Sequence, residues 1–160
     1  MYKRFSNIAK EGKTFLANGQ VVYKDDLRIE LLGQIDELNC FLGMADNKIL
    51  QKYQQDLIMI SAYIAVVKET IDNKYWKERI KETENIIETI YQKLPEIKSF
   101  ILPKNRLHIT RSVCRRVERN LITLYRKEKL NENVLLYFDR LSDLLFVLAR
   151  EKSIDKKSKI

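Results

Sequence analysis

A chain of 160 residues with only four glycines and two prolines has the size of one domain and too few turn formers for a β-rich fold. Thirty basic against 22 acidic side chains leave a formal charge of +8, which favours anionic partners, yet the sequence holds neither G-x-G-x-x-G nor G-x-x-x-x-G-K-[ST] and so lacks both of those phosphate-binding loops. The longest nearly apolar run, the 11 residues Leu57–Val67, falls short of the roughly 20 that cross a bilayer.

The N-terminal stretch is basic without an apolar segment, so no secretory signal is expected. Cys40 and Cys114 read as free thiols of a cytoplasmic protein, and with His108 the single histidine no zinc set is expected. Residues 1–26 read as an irregular or short-stranded arm: Thr14-Phe15-Leu16, an Asn18-Gly19 turn, then Val21-Val22-Tyr23. From Leu27 to about Ala45, the residues Ile29, Leu32, Ile35, Leu38, Leu42 and Ala45 recur every three or four positions and predict a first helix. Asp46-Asn47 supply a break and cap. A second helix is predicted from Ile49 to about Ile71 through Leu50, Leu57, Ile60, Ile64 and Val67, and its centre, apolar nearly all round, predicts burial.

Asp72-Asn73 break the pattern again, and Trp76 to Leu94 predicts a third helix through Ile80, Ile87, Ile90, Tyr91 and Leu94. The segment from Pro95 to Pro103 is punctuated as a connector. Leu107 to about Lys129 predicts a fourth helix with Ile109, Val113, Val117, Leu121 and Leu124 on its apolar face. After Asn131 and Asn133, a last helix is predicted from Val134 to about Lys152, followed by a polar tail, 153–160. The sum is an all-α five-helix bundle with an irregular N-terminal arm and no internal repeat.

Four arginines, Arg111, Arg115, Arg116 and Arg119, crowd the fourth helix. Like charges one turn apart repel, so the group calls for an external anion or acids from a neighbouring helix. At about 100° per residue Arg111, Arg115, Glu118 and Arg119 share one side of that helix, which is either a solvated face with salt bridges or a grip for a polyphosphate. Asp139, Ser142 and Asp143 form a polar stripe on the otherwise apolar last helix. Asp36, Glu37 and Asn39 repeat the theme on the first, and these acids can pair with the basic helix.

Four blocks occur in order: Lys24 through Arg28, Gly33 and Asp36 to Asn39; Phe100-Ile-Leu-Pro103; Leu107 through Arg111, Arg115, Arg116 and Glu118 to Arg119; and Tyr137 through Asp139, Ser142, Asp143 and Phe146 to Arg150. Together they resemble the PduO-type ATP:cob(I)alamin adenosyltransferase family across residues 24 to 150. The resemblance implies a ferritin-like homotrimer with ATP and corrinoid at each interface, soluble, without nucleic acid or membrane as partner. The reaction it implies moves the 5′-deoxyadenosyl group of ATP to reduced cobalt and expels triphosphate. Cobalt(I) is itself the nucleophile, so no side-chain base or covalent catalyst is needed, and the protein aligns the reactants and stabilises the leaving group.

Carried over by position, the resemblance implies ATP contacts from the arm at Ser6, Ala9, Lys10, Gly12, Lys13, Thr14 and Lys24. It implies others from Arg111, Arg115, Arg116, Glu118, Arg119 and Asp139, with Mg²⁺ riding on the phosphates and no metal site of the protein's own. Arg111 and Asp36 match a pair that joins adjacent subunits beside the nucleotide, and Asp143 falls on the corrinoid side. Phe100 matches the phenylalanine that sits under the corrin and leaves cobalt four-coordinate; a core aromatic in a loop is the alternative to that role. His108 is better explained as a capping or core histidine.

Three positions depart from the family pattern. Ala9-Lys10 replaces a Gly-Asp pair in the phosphate loop, and alanine does not take positive φ cheaply. Lys104-Asn105-Arg106 leads directly into the fourth helix where the family has Gly-Gly and a longer connector. Asp139 stands where the family has asparagine, and an ionised carboxylate offers no donor and repels phosphate. A non-catalytic relative that binds ATP or corrinoid as a sensing module is therefore a second reading. A basic helical RNA-binding protein is a third, disfavoured by interleaved acids and the lack of a basic-aromatic stacking platform.

Overall fold

The computed structural model describes residues 10–45, 47–66 and 71–155. Strands β1 (Lys13–Phe15) and β2 (Val21–Tyr23) pair antiparallel, with Thr14 opposite Val22. Gly19, at φ +83, makes the turn that lets its amide reach the carbonyl of Leu16 at 2.9 Å. The expected short-stranded arm is thus a hairpin.

Five helices follow, and an Asp or Asn side chain accepts from a backbone amide at or just before the start of each. Helix α1 (Leu27–Met44) starts where Asp26 accepts from the amide of Arg28 at 2.8 Å. Helix α2 (Leu50–Ala65) follows Asn47, which accepts from the amide of Ile49. Helix α3 (Asn73–Tyr91) is capped by Asp72 on the amides of Lys74 and Tyr75, and α4 (Arg106–Lys127) by Asn105 on the amide of Leu107. Arg126 and Lys127 close the last turn of α4, where cations suit the helix dipole. Helix α5 (Glu132–Asp155) begins after Asn131, which accepts from the amide of Asn133.

Neighbours run α2, α1, α4, α5, α3 across the bundle. Leu31, Ile35, Leu38 and Leu42 of α1 meet Val117 and Leu121 of α4 and Phe138, Leu141 and Leu145 of α5 in one core. Trp76 stands edge-on to Tyr137, centroids 5.1 Å apart.

A buried charge network joins α2 to α3. Asp56 accepts from Nε and Nη2 of Arg79, at 2.9 and 2.5 Å, and from the hydroxyls of Tyr75 and Tyr137, at 2.7 and 2.9 Å. Glu82 adds a second carboxylate to Arg79 and is held by Lys52. Burying the pair costs solvation, and these bonds offset it. Burial opposes the charge on Arg79, but the bonds to Asp56 leave its pKa raised.

Several expectations are corrected. Helix α2 ends at Ala65 instead of near Ile71, while Asp46 and Val67 lie outside the described residues. The second helix is not buried all round: α1 and side chains of α3 cover its inner faces and nothing described covers the outer one, so Ile58 and Met59 are exposed although Leu57, Ile60 and Ile64 are buried. Ile109 is also exposed, because the inward face of α4 is Leu107, Thr110, Val113, Cys114, Val117 and Leu121. Tyr91, expected on the apolar face of the third helix, is exposed. Helix α5 takes in Ser153 and Ile154 of the expected tail, and 156–160 lie outside the described residues. Among the described residues no helix is long and apolar enough to cross a membrane.

Candidate functional site

The arginines of α4 are not equivalent. Arg116 is ion-paired to Glu37 of α1, one turn from a polar chain in which Asn120 donates to Gln34 and Gln34 to Glu30, at 2.8 and 2.6 Å. This is the pairing between first and fourth helices that their charges imply. Arg115 and Arg119 are exposed, and their side chains form neither hydrogen bond nor ion pair with any described residue. Arg111 is half-buried, its guanidinium carbon 5.0 Å from the centroid of Phe146, with Nε buried and unpartnered among the described residues. A face covered with salt bridges is therefore not what α4 presents: among the described residues only Arg116 of the four arginines has an ion pair, and Arg115 and Arg119 are exposed without one.

Carboxylates border this strip. Glu118, half-buried, is raised in pKa first by burial; Arg115 pulls it down and Asp139 pushes it up. Asp139 accepts from Nη1 of Arg140 at 2.6 Å, and Arg140 also reaches Glu84 at 2.8 Å and Asp143 at 3.3 Å. Asp143 is exposed; burial of its carboxyl and then the charge of Asp139 raise its pKa. Ser142 is buried, its hydroxyl unpartnered among the described residues. The stripe on α5 is thus split between a buried hydroxyl and two carboxylates that face the arginines.

His108 is buried, with Nε2 unpartnered among the described residues, and burial followed by the nearby charge of Arg111 lowers its pKa. It is a core histidine, one of the two expected roles. Asp36 is exposed and has no ion pair within the described chain.

In the arm, Gly12 sits at φ +70 and its carbonyl accepts from the amide of Lys24 at 2.8 Å, which closes the hairpin onto the start of α1. The ammonium of Lys13 binds Glu11 at 2.9 Å and lies 5.4 Å from the ring centroid of Tyr23. Thr14 is half-buried, while Lys10 and Lys24 are exposed. No bond joins these arm residues to the arginines of α4 within the described chain. Ser6 and Ala9 lie outside the described residues.

Phe100 is fully exposed, at 103% of its reference area, which removes the core-aromatic explanation. It stands in the segment between α3 and α4, over a cavity of about 460 Å³ bounded by Ile97, Ile101, Leu102, Arg150 and Ile154. Arg150 was not expected in a site. It is buried, with its guanidinium carbon 5.8 Å from the centroid of Phe146, the ring on which Arg111 also lies. Phe146 thereby links the arginine strip to the Phe100 segment. The available signal was a cation at an inward position of an otherwise apolar helix.

The family model described as cobalamin adenosyltransferase matches residues 7–152. The chain is 35% identical to a corrinoid adenosyltransferase of Bacillus subtilis, over 92% of this chain and 85% of that protein. It is 34% identical to a cobalamin adenosyltransferase of Cupriavidus metallidurans, over 94% and 90%. Among solved structures it resembles a Phe-to-His variant of a PduO-type ATP:corrinoid adenosyltransferase from Lactobacillus reuteri, complexed with cobalamin and ATP. That likeness has a TM-score of 0.86 at 27% identity and covers 97% of this chain and 93% of the other.

Proposed function

This chain belongs to the cobalamin adenosyltransferase family, and from that premise we propose how its own residues carry the reaction. The enzyme is an ATP:corrinoid adenosyltransferase. Cobalt(I) of the corrinoid substrate attacks C5′ of ATP, the Co–C bond forms as the C5′–O bond breaks, and the electron pair leaves on triphosphate. Charge grows on the departing phosphates, so fixed guanidinium groups that meet it late in the reaction lower the barrier.

The observation that carries the assignment is the pair of unengaged arginines, Arg115 and Arg119, beside the engaged Arg116. A planar fork suits phosphate oxygens, and Arg115 takes the triphosphate in this reading. Arg119, Lys24 and the arm residues Ser6, Ala9, Lys10, Gly12, Lys13 and Thr14 complete the nucleotide site. Arg116 stays with Glu37 at its edge. Glu118 and Asp139 border the phosphates, and Mg²⁺ fits here as a cation carried mainly by phosphate and water oxygens. Among the described residues no three His, Cys, Asp or Glu side chains gather as a metal cage.

Phe100 and Asp143 serve the corrinoid side, Phe100 pressing on the lower face so that cobalt loses its lower ligand and is more easily reduced. Its complete exposure supports this, since a fully exposed phenylalanine is an apolar surface waiting for a partner. The assembly is a homotrimer in which Arg111 meets Asp36 of the next subunit. The unpartnered Nε of Arg111 and the solitary Asp36 support that pairing. The two free thiols fit a cytoplasmic protein.

The test is an anaerobic assay with cob(I)alamin and MgATP, following the absorbance change as the Co–C bond forms. Sedimentation at micromolar concentration should report a species of three 19.1 kDa chains. Binding of MgATP without Co–C bond formation would instead favour a binding module, the reading that Asp139 supports. Turnover by a clean monomer would defeat the shared site.

A further inference from the structure

The segment that carries Phe100 is hydrogen-bonded to the bundle at its ends and, among the described residues, nowhere between. At one end, Nη2 of Arg150 donates to the carbonyl of Pro95. At the other, the side-chain amide of Asn105 donates to the carbonyl of Ala149 at 2.8 Å and to the hydroxyl of Ser153 at 2.9 Å. Residues 96–104 are exposed and form no hydrogen bond with any described residue. Both pins fall on one turn of α5, and Phe100 lies midway between Pro95 and Asn105 in sequence. Beneath the arch is the cavity of about 460 Å³.

Arg150 is an expensive choice for a pin. It is buried, stacks near the rings of Tyr91 and Phe146, has no carboxylate partner among the described residues, and keeps Nη1 without a hydrogen bond. An apolar residue would pack at this position of α5 without the desolvation cost. What the guanidinium adds is its hold on the arch.

We infer that Arg150 and Asn105 are positioning residues for Phe100, fixing the height and direction at which that ring meets the corrin face; the inference rests on the adenosyltransferase reading. With both ends held on a single helical turn, the arch has fewer conformations to lose when substrate arrives. Misplacement by about 1 Å, far from the reacting atoms, can cost on the order of 100-fold in rate.

Asn105→Ser separates the pin from the cap. Serine still caps α4 by accepting from the amide of Leu107, but it is too short to reach Ala149 and carries no amide donor. At the other end, Arg150→Lys keeps the charge and a donor without the planar stack, and Arg150→Leu keeps only the packing. The readouts are melting temperature, MgATP affinity, steady-state kinetics and the fraction of bound cob(II)alamin that turns four-coordinate with MgATP.

Asn105→Ser should melt and bind MgATP like the wild type, while the four-coordinate fraction and kcat fall on the order of tenfold at unchanged KM for ATP. Arg150→Lys should retain part of the signal that Arg150→Leu loses. Wild-type signal and kcat in Asn105→Ser and Arg150→Leu would overturn the inference. So would parallel loss of melting temperature, MgATP affinity and signal, which marks a general structural role. If wild-type protein with MgATP shows no four-coordinate species, the assignment of Phe100 fails first, an outcome distinct because wild type and variants then lack the signal alike.

Discussion

Arg115 and Arg116 are adjacent in sequence and opposite in condition: Arg116 is bound to Glu37, and Arg115 has no partner among the described residues. A side chain committed to another helix helps hold the fold, whereas one left free is available to substrate.

Arg115→Ala should therefore lower kcat by on the order of 100-fold or more, the range for loss of one charge-stabilising donor, and leave the melting temperature unchanged. Arg116→Ala removes a surface ion pair worth at most about 1 kcal/mol and should lower kcat much less. Arg126→Ala, in the last turn of α4, is the control. Stopped-flow and steady-state rates with cob(I)alamin and MgATP distinguish the three, and equal modest losses would point to a general electrostatic role for the whole strip.

Phe100→Ala should not destabilise the protein. A core phenylalanine would cost about 3 to 5 kcal/mol on truncation, but this ring is fully exposed. Thermal unfolding and MgATP binding should match the wild type, while cob(II)alamin bound to the variant keeps an axial ligand. Optical and magnetic spectra of the bound cobalt report this. A variant that unfolds early would contradict the exposure of Phe100.

Much of the fold was legible because its cause is local. The apolar spacing of α1, α4 and α5, and the caps at Asp26, Asp72 and Asn105, act within a few residues of themselves. Asp56 and Arg79 were not legible: each looks like a surface charge in its own helix, and only the meeting of α2 with α3 buries them together. Ile58 and Met59 misled for the converse reason, since they fall on the side of α2 that neither α1 nor α3 covers. For the site, the arginine strip and Phe100 could be read from their motifs. Which arginine is free depends on where Glu37 falls across α1, and the role of Arg150 depends on a segment that reaches it only in the folded chain.

Asp56→Ala should cost about 3 to 5 kcal/mol, because it leaves buried Arg79 with only the half-exposed Glu82 and takes the acceptor from the buried hydroxyl of Tyr137. Replacing both residues by apolar ones of similar size should cost far less, or nothing. Denaturant titration compares the two. Tyr75, pushed up to about 12 by burial and by its bond to Asp56, should ionise at lower pH in Asp56→Ala, and absorbance during alkaline titration follows that change.

Asp139→Asn should flatten the acid limb of the stability curve. Burial first, and Asp139 after it, hold Glu118 above its ordinary 4.5 and Asp143 above its ordinary 3.8. The folded state binds these protons more readily than the unfolded one. The resulting stability is present below the ordinary values and is lost as pH rises through the raised ones. Removing the charge of Asp139 narrows that window, so melting temperature should decline less between about pH 4 and pH 7. The same change removes repulsion at the phosphate edge and should lower KM for MgATP. An unchanged pH profile would separate Asp139 from Glu118.

The two-pinned arch also marks where the chain can be cut without losing the molecule. Lys98 and Lys104 stand in its exposed, unbonded span, open to trypsin while the helices are protected. A nick there divides the chain into a piece carrying α1, α2 and α3 and a piece carrying α4 and α5, yet the neighbours that meet across the division, α1 with α4 and α3 with α5, are the broad packing faces of the bundle. The fragments should travel together through gel filtration and part only in denaturant. Nicked protein that still binds MgATP but no longer forms the Co–C bond would show the arch to be a covalent tether for Phe100, dispensable to the bundle and required by the reaction.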